Sequence, residues 1–132
     1  MSAVLSPAPI EHTTVLPFEV ALVRLRKAIA DAGLTLFAEI DHAAGAASIG
    51  VKMARSTVLI YGHPRGGTPI MLAFPDAALD LPLRALLREE PQGNTVLVYD
   101  PIATLLRRSG VPESTAHALE PAQNLLITAL RS

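Results

Sequence analysis

Apolar residues return at helical intervals early in the chain: Phe18, Leu22, Leu25 and Ile29 line one side, while Arg24, Lys27 and Asp31 fall elsewhere on the wheel. Pro17 stands where a first helical position belongs, and Glu19 lies in the first turn, where the helix dipole favours an anion. Gly33 then supplies a left-handed cap, so the pattern predicts a helix from about 17 to 32. Before it, the β-branched residues Thr13, Thr14 and Val15 predict a strand over 10–15. After it, Leu34, Leu36, Ala38 and Ile40 alternate with Thr35, Phe37 and Glu39, a second strand.

Beyond residue 40 the pattern changes character. The Ala-rich stretch 41–50 fits a short helix or a loop around Gly45. The continuous run 57–61 reads as a central strand covered on both faces. Thr68 can cap a helix with Pro69 at its first position, ending near 74. Strands over 83–89 and 94–99 flank "EPQGN", where Pro91 presets a turn and Gly93 takes positive φ. Asp100-Pro101 opens a short helix to 107, and 114–130 is helical, with Pro121 kinking it or opening its second half. The expected fold is α+β and two-layer: a mixed sheet of about five strands with helices packed on it, in the order β-α-β-(α)-β-α-β-β-α-α. Residues 1–9 read as a flexible lead-in and 10–132 as one domain.

Composition narrows the chemistry. The chain has 132 residues, half of them apolar, which suffices for a real core. A formal charge of −1 leaves no basic excess for phosphates, and Phe18, Phe37, Phe74 and Tyr99 are scattered, so no nucleic-acid partner is expected. Cysteine is absent, which removes disulfides, thiolate metal sites and a cysteine nucleophile. No run is long and apolar enough to cross a bilayer, and the first ten residues lack the basic start of a secretory signal, so a cytoplasmic protein with no membrane partner is expected. With so few charges to cover its surface, the domain is expected to bury a face in a homodimer.

The segment "LIYGHPRGGTPI" at 59–70 looks most like chemistry. Gly62 and Gly67 have the spacing of a phosphate loop between a strand and a helix. Thr68 and Pro69, however, stand where that loop needs lysine and a hydroxyl residue, so a nucleotide is rejected. A smaller anion site remains: Arg65, the amides of Gly66 and Gly67, and the Thr68 hydroxyl at a helix start. The plain alternative is a tight Gly66-Gly67 turn followed by a Thr68 cap.

Asp41-His42 ends one expected strand and His63 follows another. If those strands are parallel neighbours, Glu39, Asp41, His42, His63 and Arg65 share one crevice, and His42, His63 and a carboxylate from Asp41 or Glu39 resemble a two-histidine, one-carboxylate metal set. No HxH or HExxH spacing supports a metal there, and no motif specifies a cofactor. Asp76 and Asp80, in a polar turn before the hairpin, read as caps and not as a catalytic pair, Arg107-Arg108 as an answer to a helix dipole, and His12 and His117 as isolated. No G-x-S-x-G elbow is present.

Three segments together carry a resemblance: "AGLTLFAEIDHAAGA" at 32–46, "LIYGHPRGGTPIM" at 59–71 and "ALDLPLRALLREEPQGNTVLVYDP" at 78–101. They resemble the domain-of-unknown-function 302 family. Gly33, Glu39, Asp41, Pro64, Pro69, Leu81, Pro82 and Asp100-Pro101 are the shared positions. The resemblance implies a small α+β domain that tends to dimerise and has no established activity. Many relatives carry cysteines near the positions of His63 and Pro82, so no thiol-based role transfers to this chain.

Together these readings lead to a non-catalytic small-ligand-binding or interaction module, with Glu39, Asp41, His42, His63, Arg65, Gly66, Gly67 and Thr68 at the site. The alternative is an enzyme with Asp41 or His42 as general base and an anionic substrate group held by Arg65 and the Gly66-Gly67 amides. A third reading, a purely structural dimer, would place Phe37, Tyr61 and Tyr99 at the subunit contact.

Overall fold

The computed structural model describes residues 8–131, so most of the expected lead-in lies outside the described residues. Five strands, β1 (Ile10–Thr14), β2 (Thr35–Asp41), β3 (Ser56–Gly62), β4 (Leu83–Glu89) and β5 (Thr95–Tyr99), form one sheet in the order β1-β5-β4-β3-β2. The helices are α1 (Phe18–Asp31), α2 (His42–Ser48), α3 (Pro64–Ala73), α4 (Ile102–Arg107), α5 (Glu113–Ala116) and α6 (Glu120–Leu130), with a 3-10 turn at Pro75–Asp80 and another at His117–Leu119. The α+β, two-layer expectation therefore holds. The sheet is antiparallel at every pairing, however, where a mixed sheet was expected.

Local signals account for most boundaries. α1 buries Phe18, Ala21, Leu22, Leu25 and Ile29 on one stripe. It ends with Gly33 at φ +74, where the Gly33 and Leu34 amides donate to the Ala30 and Ile29 carbonyls. Gly93, at φ +94, turns the β4–β5 hairpin. Pro121 falls at the start of α6 and opens that helix, one of the two roles expected of it.

The helical layer covers one sheet face. Thr57, Leu59 and Tyr61 of β3, Leu83, Ala85 and Leu87 of β4, and Leu97 and Tyr99 of β5 point into it. The Tyr61 hydroxyl donates to the Ala122 carbonyl at 2.7 Å, tying β3 to α6. Burial and the nearby Tyr99 push the Tyr61 hydroxyl well above its ordinary pKa, so it stays a neutral donor. Gln123 of α6 accepts from the Ile102 amide and donates to the Asp100 carbonyl, fixing the start of α4. Tyr61 and Tyr99 are thus core residues, 1% and 6% exposed, and not a subunit contact.

β3 is second from the edge and not central. Its other face carries Val58 and Ile60, only half-buried, beside Ile40, Leu86 and Val98. A bulge between Leu36 and Ala38 changes which residues of β2 share a face. Leu36 pairs with Tyr61 and Glu39 with Leu59 on the helix side, whereas Ala38 and Ile40 pair with Ile60 and Val58 on the other. The simple alternation read from 34–40 therefore breaks at Phe37.

Candidate functional site

Antiparallel pairing of β2 and β3 decides the fate of the expected crevice. Asp41 stands opposite Thr57, while Gly62 stands opposite Thr35. His42 and His63 consequently leave opposite ends of the sheet, about 20 Å apart at roughly 3.3 Å per strand residue. The two-histidine, one-carboxylate set of His42, His63 and Asp41 is not assembled. Among the described residues no cluster of three histidine or carboxylate side chains is placed to hold a metal ion. The Asp41/His42 general base is equally remote from Arg65.

The remaining acids of that set have local tasks. Asp41 caps α2, its carboxylate accepting from the Ala44 amide at 2.9 Å. Glu39, turned to the helix side by the bulge, takes both oxygens to Arg26 of α1 at 2.8 and 2.9 Å. Neither reaches the glycine-rich segment.

The helix behind "YGHPRGGTPI" begins five residues earlier than expected, because Pro64 and not Pro69 occupies its first position. His63 is its cap: Nδ1 accepts from the Arg65 amide at 3.0 Å. The Gly66 and Gly67 amides both donate to the His63 carbonyl, at 3.0 and 3.3 Å. Pro64 has no N–H, so every donor of the first turn already has a partner. The expected amide cradle for an anion is therefore spent on the helix itself. Thr68 lies inside α3 and caps nothing.

Packing requires a glycine at position 66 but not at 67. A Cβ at Gly66 would stand 3.0 Å from Leu119, and one at Gly67 would stand 3.6 Å from Leu81 and from Met71. Gly67 is helical and its contacts would be ordinary, so Gly67→Ala should stabilise the fold by about 0.5–1 kcal/mol through backbone entropy. A rise in the urea midpoint checks this. A fall would restore the tight-turn reading.

His63, Arg65, Gly66, Gly67 and Thr68 remain together on one wall of a cleft of about 710 Å³. Its other walls are Ala32 to Leu34 after α1, Phe37 at the bulge, Met71 of α3, Leu81 to Leu83 before and in β4, and Ala118-Leu119 before α6. The bulge aims Phe37 at this mouth. Sequence reasoning missed Leu34, Phe37, Met71, Leu81 and Leu119; the one readable sign was a pair of adjacent glycines where a helix packs closely.

The Leu119 wall hangs on a small ionic cluster. His117 donates from Nδ1 to Glu120 and lies 3.6 Å, at Nε2, from Glu113. The hydrogen bond to Glu120 and then its charge raise the imidazole pKa, against desolvation and with a lesser contribution from the charge of Glu113. A raised folded pKa contributes stability that is full below the unfolded value near 6.5 and is lost as pH rises through the folded value. The urea midpoint should therefore decline as pH rises from about 6.5, and His117→Asn should flatten that part of the profile. A wild-type midpoint that is flat there, or unaffected by the substitution, contradicts the assignment.

Residues 10–130 match the family described as Domain of unknown function DUF302. The chain belongs to the DUF302 family. A DUF302 crystal structure, an uncharacterized conserved protein from Bacillus stearothermophilus, superposes with a TM-score of 0.79 over 92% of this chain and 94% of that one. At 12% identity that likeness speaks for the fold alone.

Curated proteins with similarity include fluoride-specific ion channels FluC 1 of Brucella suis and of Brucella abortus and FluC 2 of Brucella melitensis, each 33% identical over 88 residues. That alignment takes in 67% of this DUF302 chain. The chain spans only about a third of the length of those relatives, 33–35% of each.

Proposed function

We propose that this DUF302 domain is a cytoplasmic, non-catalytic small-ligand-binding module that works as a homodimer, with its ligand in the cleft between α1, α3 and Leu119. The observation that carries the reading is the cleft: about 710 Å³, walled mainly by apolar side chains, with three polar ones at Arg65, His63 and Thr68. Ligand sites have this build, an apolar body with a few orienting groups. An enzyme using Asp41 or His42 with Arg65 lacks support, since base and cation lie at opposite ends of β2 and β3.

Titration of the ¹⁵N-labelled chain with indole tests it. Shifts are expected at Gly33, Leu34, Gly66, Gly67 and Leu119. Shifts absent from those amides, at indole concentrations near its solubility limit, would remove the ligand-binding reading. A His63→Ala variant is unsuitable as a probe because it also strips the cap from α3, a loss of about 1 kcal/mol.

For the dimer, Ile40, Ile49, Val51 and Met53 are 45%, 78%, 52% and 46% exposed along β2, α2 and the segment beyond. This apolar ridge is the natural contact for a second copy. Light scattering should give twice the chain mass, and Ile49→Asp with Met53→Asp should give the single mass. A monomeric wild type at high micromolar concentration ends the dimer reading.

The fluoride-channel relatives suggest a context. No helix among the described residues is long and apolar enough to cross a membrane. We infer that the part shared with those channels is an accessory unit and that the pore belongs to the other two thirds of their length. Vesicles carrying this chain alone should lose fluoride no faster than empty vesicles, and faster loss would overturn this.

A further inference from the structure

We infer that the cleft takes an amphipathic monoanion: an apolar body the size of a medium-length acyl chain or one aromatic ring system, ending in a single carboxylate or sulfonate. This rests on the ligand-binding reading and adds the chemistry of the ligand.

Charge is the first ground. No aspartate or glutamate lines the cleft, and Arg65 and His63 are its only ionisable side chains. Four acids on neighbouring elements are committed, while Asp76 of the 3-10 turn after α3 and Glu89 at the end of β4 join no ion pair but do not line the cleft. Asp31 pairs with Lys27, Glu39 with Arg26, Asp80 with Arg108, and Glu120 with His117. Arg65, by contrast, joins no ion pair among the described residues, so the field at the mouth is that of one uncompensated cation.

Hydrogen-bond polarity is the second ground. Because Nδ1 of His63 accepts from the Arg65 amide, the neutral imidazole carries its proton on Nε2 and offers a donor. The Arg65 guanidinium donates only, and the Thr68 hydroxyl can donate. A rim of three donors without a carboxylate favours a ligand head that accepts.

The third ground sets the number of charges. A phosphate-rich ligand needs free amides as well as cations. Here the first-turn amides of α3 are consumed by His63, through its ring and its carbonyl, leaving one fixed positive charge. One cation matches one anionic group. The rest of the cavity, from Leu34 and Phe37 to Met71, Leu81 and Leu119, has no polar side chain to meet a second.

The test compares three probes of equal chain length below their aggregation limits: decanoate, decanol and decyltrimethylammonium. Binding is located by amide shifts in the labelled protein. Decanoate should shift Gly33, Leu34, residues 63–68 and Leu119. It should bind at least about tenfold tighter than decanol, the worth of one charge-assisted contact, with the ammonium probe weakest. Arg65→Gln, on an exposed side chain that carries no structural bond, should bring decanoate down to the level of decanol. Equal affinity of decanoate and decanol, with shifts in the cleft, would overturn the monoanion while the pocket stood. Unchanged decanoate affinity in Arg65→Gln would overturn it in the same way. No cleft shifts with any of the three would overturn the ligand-binding reading beneath it.

Discussion

Leu59→Ala lowers the free energy of unfolding by about 2–5 kcal/mol, whereas Val58→Ala, one residue away, lowers it by less than about 1.5 kcal/mol. Leu59 is fully buried on the helix side of β3, opposite Ala85 of β4 and within the core cluster that includes the buried stripe of α1. Its loss removes both the transfer free energy of the side chain and the contacts around the resulting cavity. Val58 points to the other face, is only half-buried, and leaves no enclosed void. Domains of this size hold about 5–15 kcal/mol in total, so the first substitution takes a large share of it. Urea midpoints at unchanged slope measure both. Equal losses at the two positions would mean that the second sheet face is covered as thoroughly as the first, which contradicts the two-layer arrangement.

Arg108→Ala strongly lowers the urea midpoint, while Arg107→Ala leaves it within the small range of surface substitutions, about 0.5 kcal/mol. The two arginines are neighbours and look alike in the sequence, where both answer a helix dipole. In the fold, Arg108 reaches Asp80 with two bonds, Nε donating at 2.9 Å and Nη2 to the other oxygen. The Asp80 side chain is only 1% exposed, at the end of the 3-10 turn that leads into β4. Removing the guanidinium strands that carboxylate in the interior, where a lone charge is far costlier than a lost surface pair. Asp80→Asn, which removes the charge as well, should therefore be milder than Arg108→Ala. The reverse order, or equal effects at Arg107 and Arg108, would show that the carboxylate finds another partner or water.

The pair also illustrates where sequence reading stops. Asp80 has the local setting of a cap in a polar turn and Arg108 that of a cation answering a helix dipole. Both descriptions are locally reasonable, and nothing in either neighbourhood announces a bond across 28 residues. The glycine-rich segment failed differently. Thr68-Pro69 and His63-Pro64 are both plausible helix starts, and local chemistry does not rank them. The close approach of Leu119 to Gly66 goes with the earlier start, and that leucine is remote in the chain. Rejection of the nucleotide loop stands on residues alone, since no fold supplies the missing lysine.

By itself the sequence determined the elements. The apolar stripe of α1, the Gly33 cap, the β4–β5 hairpin around Gly93 and the start of α6 near Pro121 each follow from the preferences of residues a few positions apart. It also carried the family resemblance and the absence of thiol chemistry. Only the tertiary structure decided which residues meet. The direction of β2 against β3 sent His42 and His63 to opposite ends, and one bulged residue at Phe37 turned Glu39 toward Arg26. Pairing direction and register depend on segments far apart in the chain. A single reversed strand or extra residue therefore redistributes a whole set of side chains that local periodicity had placed together.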